Sequence, residues 1–275
     1  KGLALLTFIA ILWLTEAIHI TITALLVPIL AVVLAMPMAK GDELEPITTQ
    51  AALTTFADPT IFLFFGGFAL ASALHIQKLD KKIATWIISL SGGHLGASVL
   101  AIFLVTAALS MWISNTATAA MMLPLALGLL AHLDAEKERK TFVFILLGIA
   151  YSASIGGLGT IVGSPPNAIA AKALGYDFAD WMKVGLPMMF IILPAMLVSL
   201  YLVLRPKLNH KVNFVTENIP WTTTRIATMI LFLCTATAWI FSKKLTENFG
   251  ISQPDTWIAI LAACLVVILG TATWK

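Results

Sequence analysis

Long apolar runs, each parted from the next by a short polar or charged break, dominate the chain. Residues 3–17 and 22–36 read as two membrane spans around the polar patch Glu16, His19, Thr21 and Thr23. An intramembrane glutamate is a functional candidate by default, but Glu16 falls at a helix end, where its side chain can snorkel to the interface. Residues 40–59 form a polar, mildly acidic loop, and residues 60–76 form a third span whose Gly66-Gly67 pair suits close helix packing. Between 77 and 90 the pattern changes. Lys78, Lys81 and Lys82 alternate with Leu79, Ile83, Trp86 and Ile87, the spacing of an amphipathic helix lying in the membrane interface.

Gly92-Gly93-His94 ends that helix, and from Ile83 to Leu133 there is no Asp, Glu, Lys or Arg. Two apolar arms, 95–113 and 117–133, flank three consecutive polar residues, Ser114, Asn115 and Thr116. At about 1.5 Å per residue the arms reach about 25–28 Å, marginal against a hydrocarbon core of about 30 Å. A re-entrant hairpin with its tip inside the membrane fits these lengths, and length alone leaves two complete crossings open. After a charged loop at 134–140, a helical pattern at 142–154 is interrupted by glycines from Gly156 to Gly163 and by Ser164-Pro165-Pro166-Asn167, then resumes at 168–173. Glycines end one half of this discontinuous span, and Ser-Pro-Pro suits the N-cap and first turn of the other. A long span at 184–204 carries Pro187 and Pro194. Spans at 226–241 and 257–271 follow a basic and polar connection at 205–224.

Composition makes the class definite. The 275 residues are 59% hydrophobic and 11% charged, against about 25% charge in a soluble domain, so the expected fold is an all-α polytopic membrane protein. Cys234 and Cys264, the only cysteines, lie in apolar runs and read as packing residues, not a disulfide. The first residue is lysine and the last lies just past an apolar segment, so both ends read as trimmed. The net charge of +3 matters less than its placement. Basic clusters at Lys78/Lys81/Lys82, Lys137/Arg139/Lys140 and Arg205/Lys207/Lys211 fall on one side if the hairpin ends where it began, and the positive-inside rule makes that side cytoplasmic. The 40–59 and 175–180 loops then lie outside, with Lys243-Lys244 a mild exception. The last pair of spans starts from the opposite side to the first pair, as an inverted repeat would.

Both breaks carry chemistry. Ser110 and Ser114 share a face of the first arm. That arm ends at the tip with free carbonyls and a partial negative charge, whereas the second arm begins there with free N–H groups and a partial positive charge. One end suits a small cation and the other an anion, and hydroxyl, amide and carbonyl oxygens are hard ligands that fit Na⁺. The carbonyls around Gly163 and the N-terminus of the short helix repeat the scheme, and two interrupted elements near the midplane are the best sequence pointer to a transporter site. Thr118 or Ser154 taken singly reads as an ordinary membrane-helix hydroxyl bonded to a carbonyl one turn back. His94 and His132 read as interface residues at the two ends of the hairpin. The glycine run lacks the Gly-Lys-Ser/Thr of a phosphate loop, and no His/Cys metal cluster, nucleophile elbow or paired intramembrane aspartate occurs. With no Lys or Arg near either break, an anionic solute needs helix ends and bound cations to neutralise it. A cation-coupled transporter of a small anion follows; a channel with a re-entrant filter or a membrane enzyme fits less well.

The Ser114-Asn115-Thr116 tip and the Gly163-Ser164-Pro165-Pro166-Asn167 break, in this order and spacing, resemble the divalent anion–sodium symporter family, often called the INDY type, over essentially the whole chain. The resemblance implies Na⁺ held by Ser110, Ser114, Asn115 and the Gly163 carbonyl. It implies a substrate carboxylate at Asn115 and Thr116 with Ser164 and Pro165 beside it, and no organic cofactor. It also implies a homodimer in the bacterial inner membrane, among lipid and without nucleic acid, that moves C4-dicarboxylates such as succinate by an elevator-type shift. Exchange, or carriage of citrate or sulfate, would be variants of the same fold. On this pattern 1–76 holds scaffold helices and the first transport-domain span, 77–91 the interfacial helix, 92–133 the hairpin, and 141–175 the broken helix. Residues 184–204 and 205–224 are a span and a cytoplasmic connection, and 226–271 opens the second repeat. The family's second hairpin and broken helix are missing, as is an initial helix, so the chain alone is expected not to transport.

Overall fold

The structure is a computed structural model that describes residues 1–40, 43–131, 133–211 and 219–273. His132 and the expectations placed on residues 212–218 lie outside the described residues. The chain divides into two compact units, residues 1–61 and 62–275. In the first, α1 (Gly2–Thr15) and α2 (Ile20–Val33) pack together, and the His19 ring caps α2 by accepting from Thr21 N–H at 3.3 Å. Each has 14 residues, about 21 Å of helix and short of a full crossing. The expected 40–59 loop is more ordered than its polarity implies. It holds an antiparallel ribbon of β1 (Pro37–Lys40) and β2 (Glu43–Pro46), then α3 (Thr49–Thr54), capped by Thr48.

The second unit opens within α4 (Pro59–Ile76). Lys78, at φ 55°, turns the chain into α5 (Leu79–Ser89), an amphipathic helix whose Leu79, Ala84 and Ile88 are buried while Trp86 is exposed. Next come α6 (Leu95–Ser110) and α7 (Asn115–Leu130), which pack on each other and on α8 (Arg139–Gly156). Their shared core includes Ile102, Phe103, Met122, Leu129, Ile145 and Ile149, with Phe103 edge-on to Phe144 at 5.6 Å. A 3-10 turn, Gly157–Gly159, and an irregular stretch lead to α9 (Pro165–Leu174), as the glycines and prolines predict. Then α10 (Phe178–Leu204) starts six residues before the expected 184, because the Asp177 carboxylate accepts from Asp180 N–H at 2.8 Å and nucleates the first turn.

The basic connection folds back as a strap. Gly96 N–H donates to Leu208 O, Leu95 N–H to His210 O, and Lys207 N–H to the Thr141 hydroxyl, tying the base of α6 to the start of α8. Beyond it are α11 (Thr223–Ile240), α12 (Ser242–Phe249) and α13 (Pro254–Ile268), the last two bent by 112°. A Cβ on Gly66 of α4 would stand 2.2 Å from Ala259 O of α13, so glycine is required for that approach. Cys234 and Cys264 are free thiols but exposed, not packed as expected. Among the described residues, helical stretches at Thr49–Ile76, Arg139–Gly159, Phe178–Leu204 and Thr223–Ile240 are long and apolar enough to cross a membrane, and four shorter apolar helices accompany them. The molecule is an all-α, multi-pass membrane protein, with one small ribbon among the described residues.

Candidate functional site

The hairpin turn occupies Met111 to Ser114, so each arm is 16 residues, shorter than expected at the first arm's end. Ser114 is the N-cap of α7, its hydroxyl accepting from Ala117 N–H at 3.3 Å. Asn115 and Thr116 are therefore first-turn residues whose own N–H groups point at the tip without helical partners. Facing them, α6 stops at Ser110. Its hydroxyl is fully buried, 2.7 Å from the Asn115 amide oxygen and 2.6 Å from the Ala153 carbonyl of α8. One hydroxyl proton is thus offered to two oxygen acceptors. The surplus lone pairs make this a cation-seeking spot of hard oxygens, the chemistry that fits Na⁺.

The second break is pressed against the first. A Cβ on Gly157 would lie 2.5 Å from the Asn115 amide oxygen, and one on Gly163 would lie 2.4 Å from the Gly157 carbonyl. Bare backbone is needed at both positions. Asn167, in the first turn of α9 and only 4% exposed, donates from its amide nitrogen to Gly157 O at 2.7 Å and Thr160 O at 2.8 Å. The Thr160 hydroxyl donates to Met111 O in the hairpin turn and accepts from Gly163 N–H at 3.1 Å. Through Asn167 and Thr160 the two interrupted elements hold one arrangement. The sequence marks Asn167 and Thr160 only as members of the interrupted run, with no role for either. The signal for the first was a carboxamide placed where an apolar helix should begin.

The expected residues are therefore partly assembled. Ser110, Asn115 and Gly163 converge through Gly157. Ser114 is exposed at the tip and spends its hydroxyl on the cap. Asn115 and Thr116 open onto a cavity of about 610 Å³ whose other walls include Ala119, Ala150 and Ser154. Ser164 is the half-buried N-cap of α9, with Pro165 exposed at its first turn, and neither lines that cavity. A second cleft, of about 350 Å³, runs from Ser114 along α4 and α7 to a His75–Asp80 pair at 2.7 Å. Trp112, in the turn, stacks on Phe178 at 6.1 Å and Trp239 at 6.3 Å, seating the tip against α10 and α11.

Of the two hydroxyls that looked ordinary, Ser154 is so, donating to Ala150 O at 3.1 Å. Thr118 is not: its hydroxyl is buried without a hydrogen-bond partner among the described residues.

Comparison with known proteins places this geometry in context. The citrate transporter family profile matches residues 10–275. A protein of Haemophilus influenzae named "Uncharacterized transporter" is 55% identical over 283 residues, covering 100% of this chain and 59% of its own length. "Uncharacterized transporter MJ0672" of Methanocaldococcus jannaschii is 38% identical over 268 residues, covering 98% of the chain and 59% of its own. The "Sodium-dependent dicarboxylate transporter SdcS" of Staphylococcus aureus is 34% identical over 205 residues, 70% of the chain and 38% of its own length. The chain thus spans about three-fifths of the first two relatives.

Proposed function

The chain belongs to the citrate transporter family, and from that premise we propose that it carries part of a sodium-coupled symporter of C4-dicarboxylates such as succinate. The observation that carries the proposal is the oxygen cluster of Ser110, Asn115 and Ala153, set where one helix ends and another begins. From residue 83 to 133 and again from 141 to 171 there is no charged residue, so a dianion here is neutralised only by helix N-termini and by bound cations. Na⁺ supplies that positive charge when bound. Asn115 serves both ligands, its amide oxygen turned to the Ser110 cluster and its backbone N–H to the tip. Thr116 adds a hydroxyl and a further free N–H toward a carboxylate in the adjoining cavity. Gly163 brings its carbonyl side of the break close, and Ser164 and Pro165, which do not line that cavity, are assigned to the substrate by the family resemblance alone.

The name of the Staphylococcus relative supports sodium dependence and a dicarboxylate, and the family's description favours citrate as the second reading. The remaining parts of the proposal are a re-entrant hairpin entered from the cytoplasm, an inverted second repeat that completes the site, an elevator-type movement, and a homodimer in the bacterial inner membrane. Uptake of labelled succinate by the full-length protein in liposomes tests the function. An inward Na⁺ gradient is expected to drive accumulation, with unlabelled citrate competing more weakly than succinate. Uptake indifferent to Na⁺ refutes coupling, and citrate outcompeting succinate transfers the assignment to the second reading.

A further inference from the structure

Two fully buried hydroxyls just below the hairpin tip, Thr118 and Ser152, have no hydrogen-bond partner among the described residues. Buried polar groups are nearly always paired, so each exception asks for a reason. Threonine and serine in membrane helices ordinarily donate to a carbonyl one turn back. Thr106, Ser154, Thr228 and Thr235 all do so here, each to the carbonyl four residues earlier. Thr118 and Ser152 had the same option and do not take it.

Their positions are related. Thr118 lies three residues past Asn115 and so shares its face of α7, at the head of the inward stripe that continues through Met122, Ala126 and Leu129. Ser152 heads the corresponding stripe of α8 above Ile149 and Ile145, and it directly precedes Ala153, whose carbonyl meets the Ser110 hydroxyl. Both stripes run into one hydrophobic core. Each hydroxyl therefore stands where that core gives way to the oxygen cluster of the tip. An alanine or valine would fill either position with no unpaired polar atom.

We propose that Thr118 and Ser152 form the inner wall of the cation site, contributing hydroxyl oxygen to Na⁺ beyond Ser110, Ser114, Asn115 and Gly163. The inference rests on the sodium-site reading of the tip and extends it by two residues. Hydroxyl oxygens suit a small hard monovalent cation, and leaving them unbonded to the helix keeps their lone pairs free for it.

The test uses the full-length protein in liposomes and in detergent, with Thr118→Val, which is nearly isosteric, and Ser152→Ala. Each is expected to raise the Na⁺ concentration for half-maximal succinate uptake at least tenfold. Each should also lose most of the rise in thermal unfolding temperature that Na⁺ gives the wild type, while unfolding without Na⁺ stays level or moves upward. That combination separates a ligand from a packing group, because removing a merely unsatisfied hydroxyl stabilises the protein and leaves Na⁺ affinity alone. Thr118→Ser keeps the oxygen and is expected to retain wild-type affinity. Na⁺ affinity within twofold of wild type in both deletion variants overturns the inference. Asn115→Ala, measured alongside, distinguishes the two levels. If it loses Na⁺ response while the deletions do not, only the inner wall fails; if it too keeps full Na⁺ response, the reading of the tip itself fails.

Discussion

At Gly157 the space for a side chain is taken by another residue's amide: a methyl group there would sit 2.5 Å from the Asn115 oxygen. Gly157→Ala is therefore expected to push Asn115 off Ser110 and abolish sodium-dependent uptake, with a stability loss of about 1–3 kcal/mol typical of overpacking. Thermal unfolding in detergent beside uptake in liposomes checks both effects. Asn167→Ala acts from the other direction, stripping Gly157 O and Thr160 O of their donor. Two buried carbonyls lose a partner, so a cost of about 2 kcal/mol or more is expected, again read by thermal unfolding. Residues such as Ser110, Asn115 and Gly163 could be picked out from the sequence because they interrupt an uncharged run or end a helix. Thr118 could not, since one threonine in an apolar helix looks like any other until its hydrogen bonds are traced.

The helical elements owe their legibility to the same contrast. Long apolar stretches and the Ser-Asn-Thr and Gly-Ser-Pro-Pro-Asn breaks place α6 to α9 within a few residues of where the pattern puts them. The short ribbon of β1 and β2 is invisible because four-residue strands carry too little alternation, and a proline begins the first strand and another ends the second. The polar α12 is hidden for a different reason: Ser-Lys-Lys-Leu-Thr-Glu-Asn reads as loop, and helix forms there on one short amphipathic face. Packing between α4 and α13 was legible only as a glycine pair. Structure shows which glycine matters, and Gly66→Ala must separate the two backbones because Ala259 O, 2.2 Å away, belongs to a helix and cannot rotate aside. A fall in thermal unfolding temperature larger than that of Gly128→Ala, where nothing lies within 4 Å, is the expected result.

For the whole molecule, the proposed orientation rests on charge, and the strap that joins the base of α6 to the start of α8 holds those two ends together. Lys137→Cys and Lys207→Cys in the full-length protein are expected to react with a membrane-impermeant thiol reagent only from the cytoplasmic side, and Tyr176→Cys only from outside. Labelling of Lys137 and Lys207 from opposite faces would contradict the pair of crossings, α8 and α10, placed between them. The central claim is that one tip residue serves cation and solute together. It is tested most directly by titrating Na⁺ against labelled succinate uptake in liposomes carrying the full-length protein or its Asn115→Ala variant. The wild type is expected to show saturable, Na⁺-dependent uptake, and the variant to lose both the Na⁺ dependence and the succinate saturation. An Asn115→Ala protein that keeps the wild-type Na⁺ titration would contradict that claim.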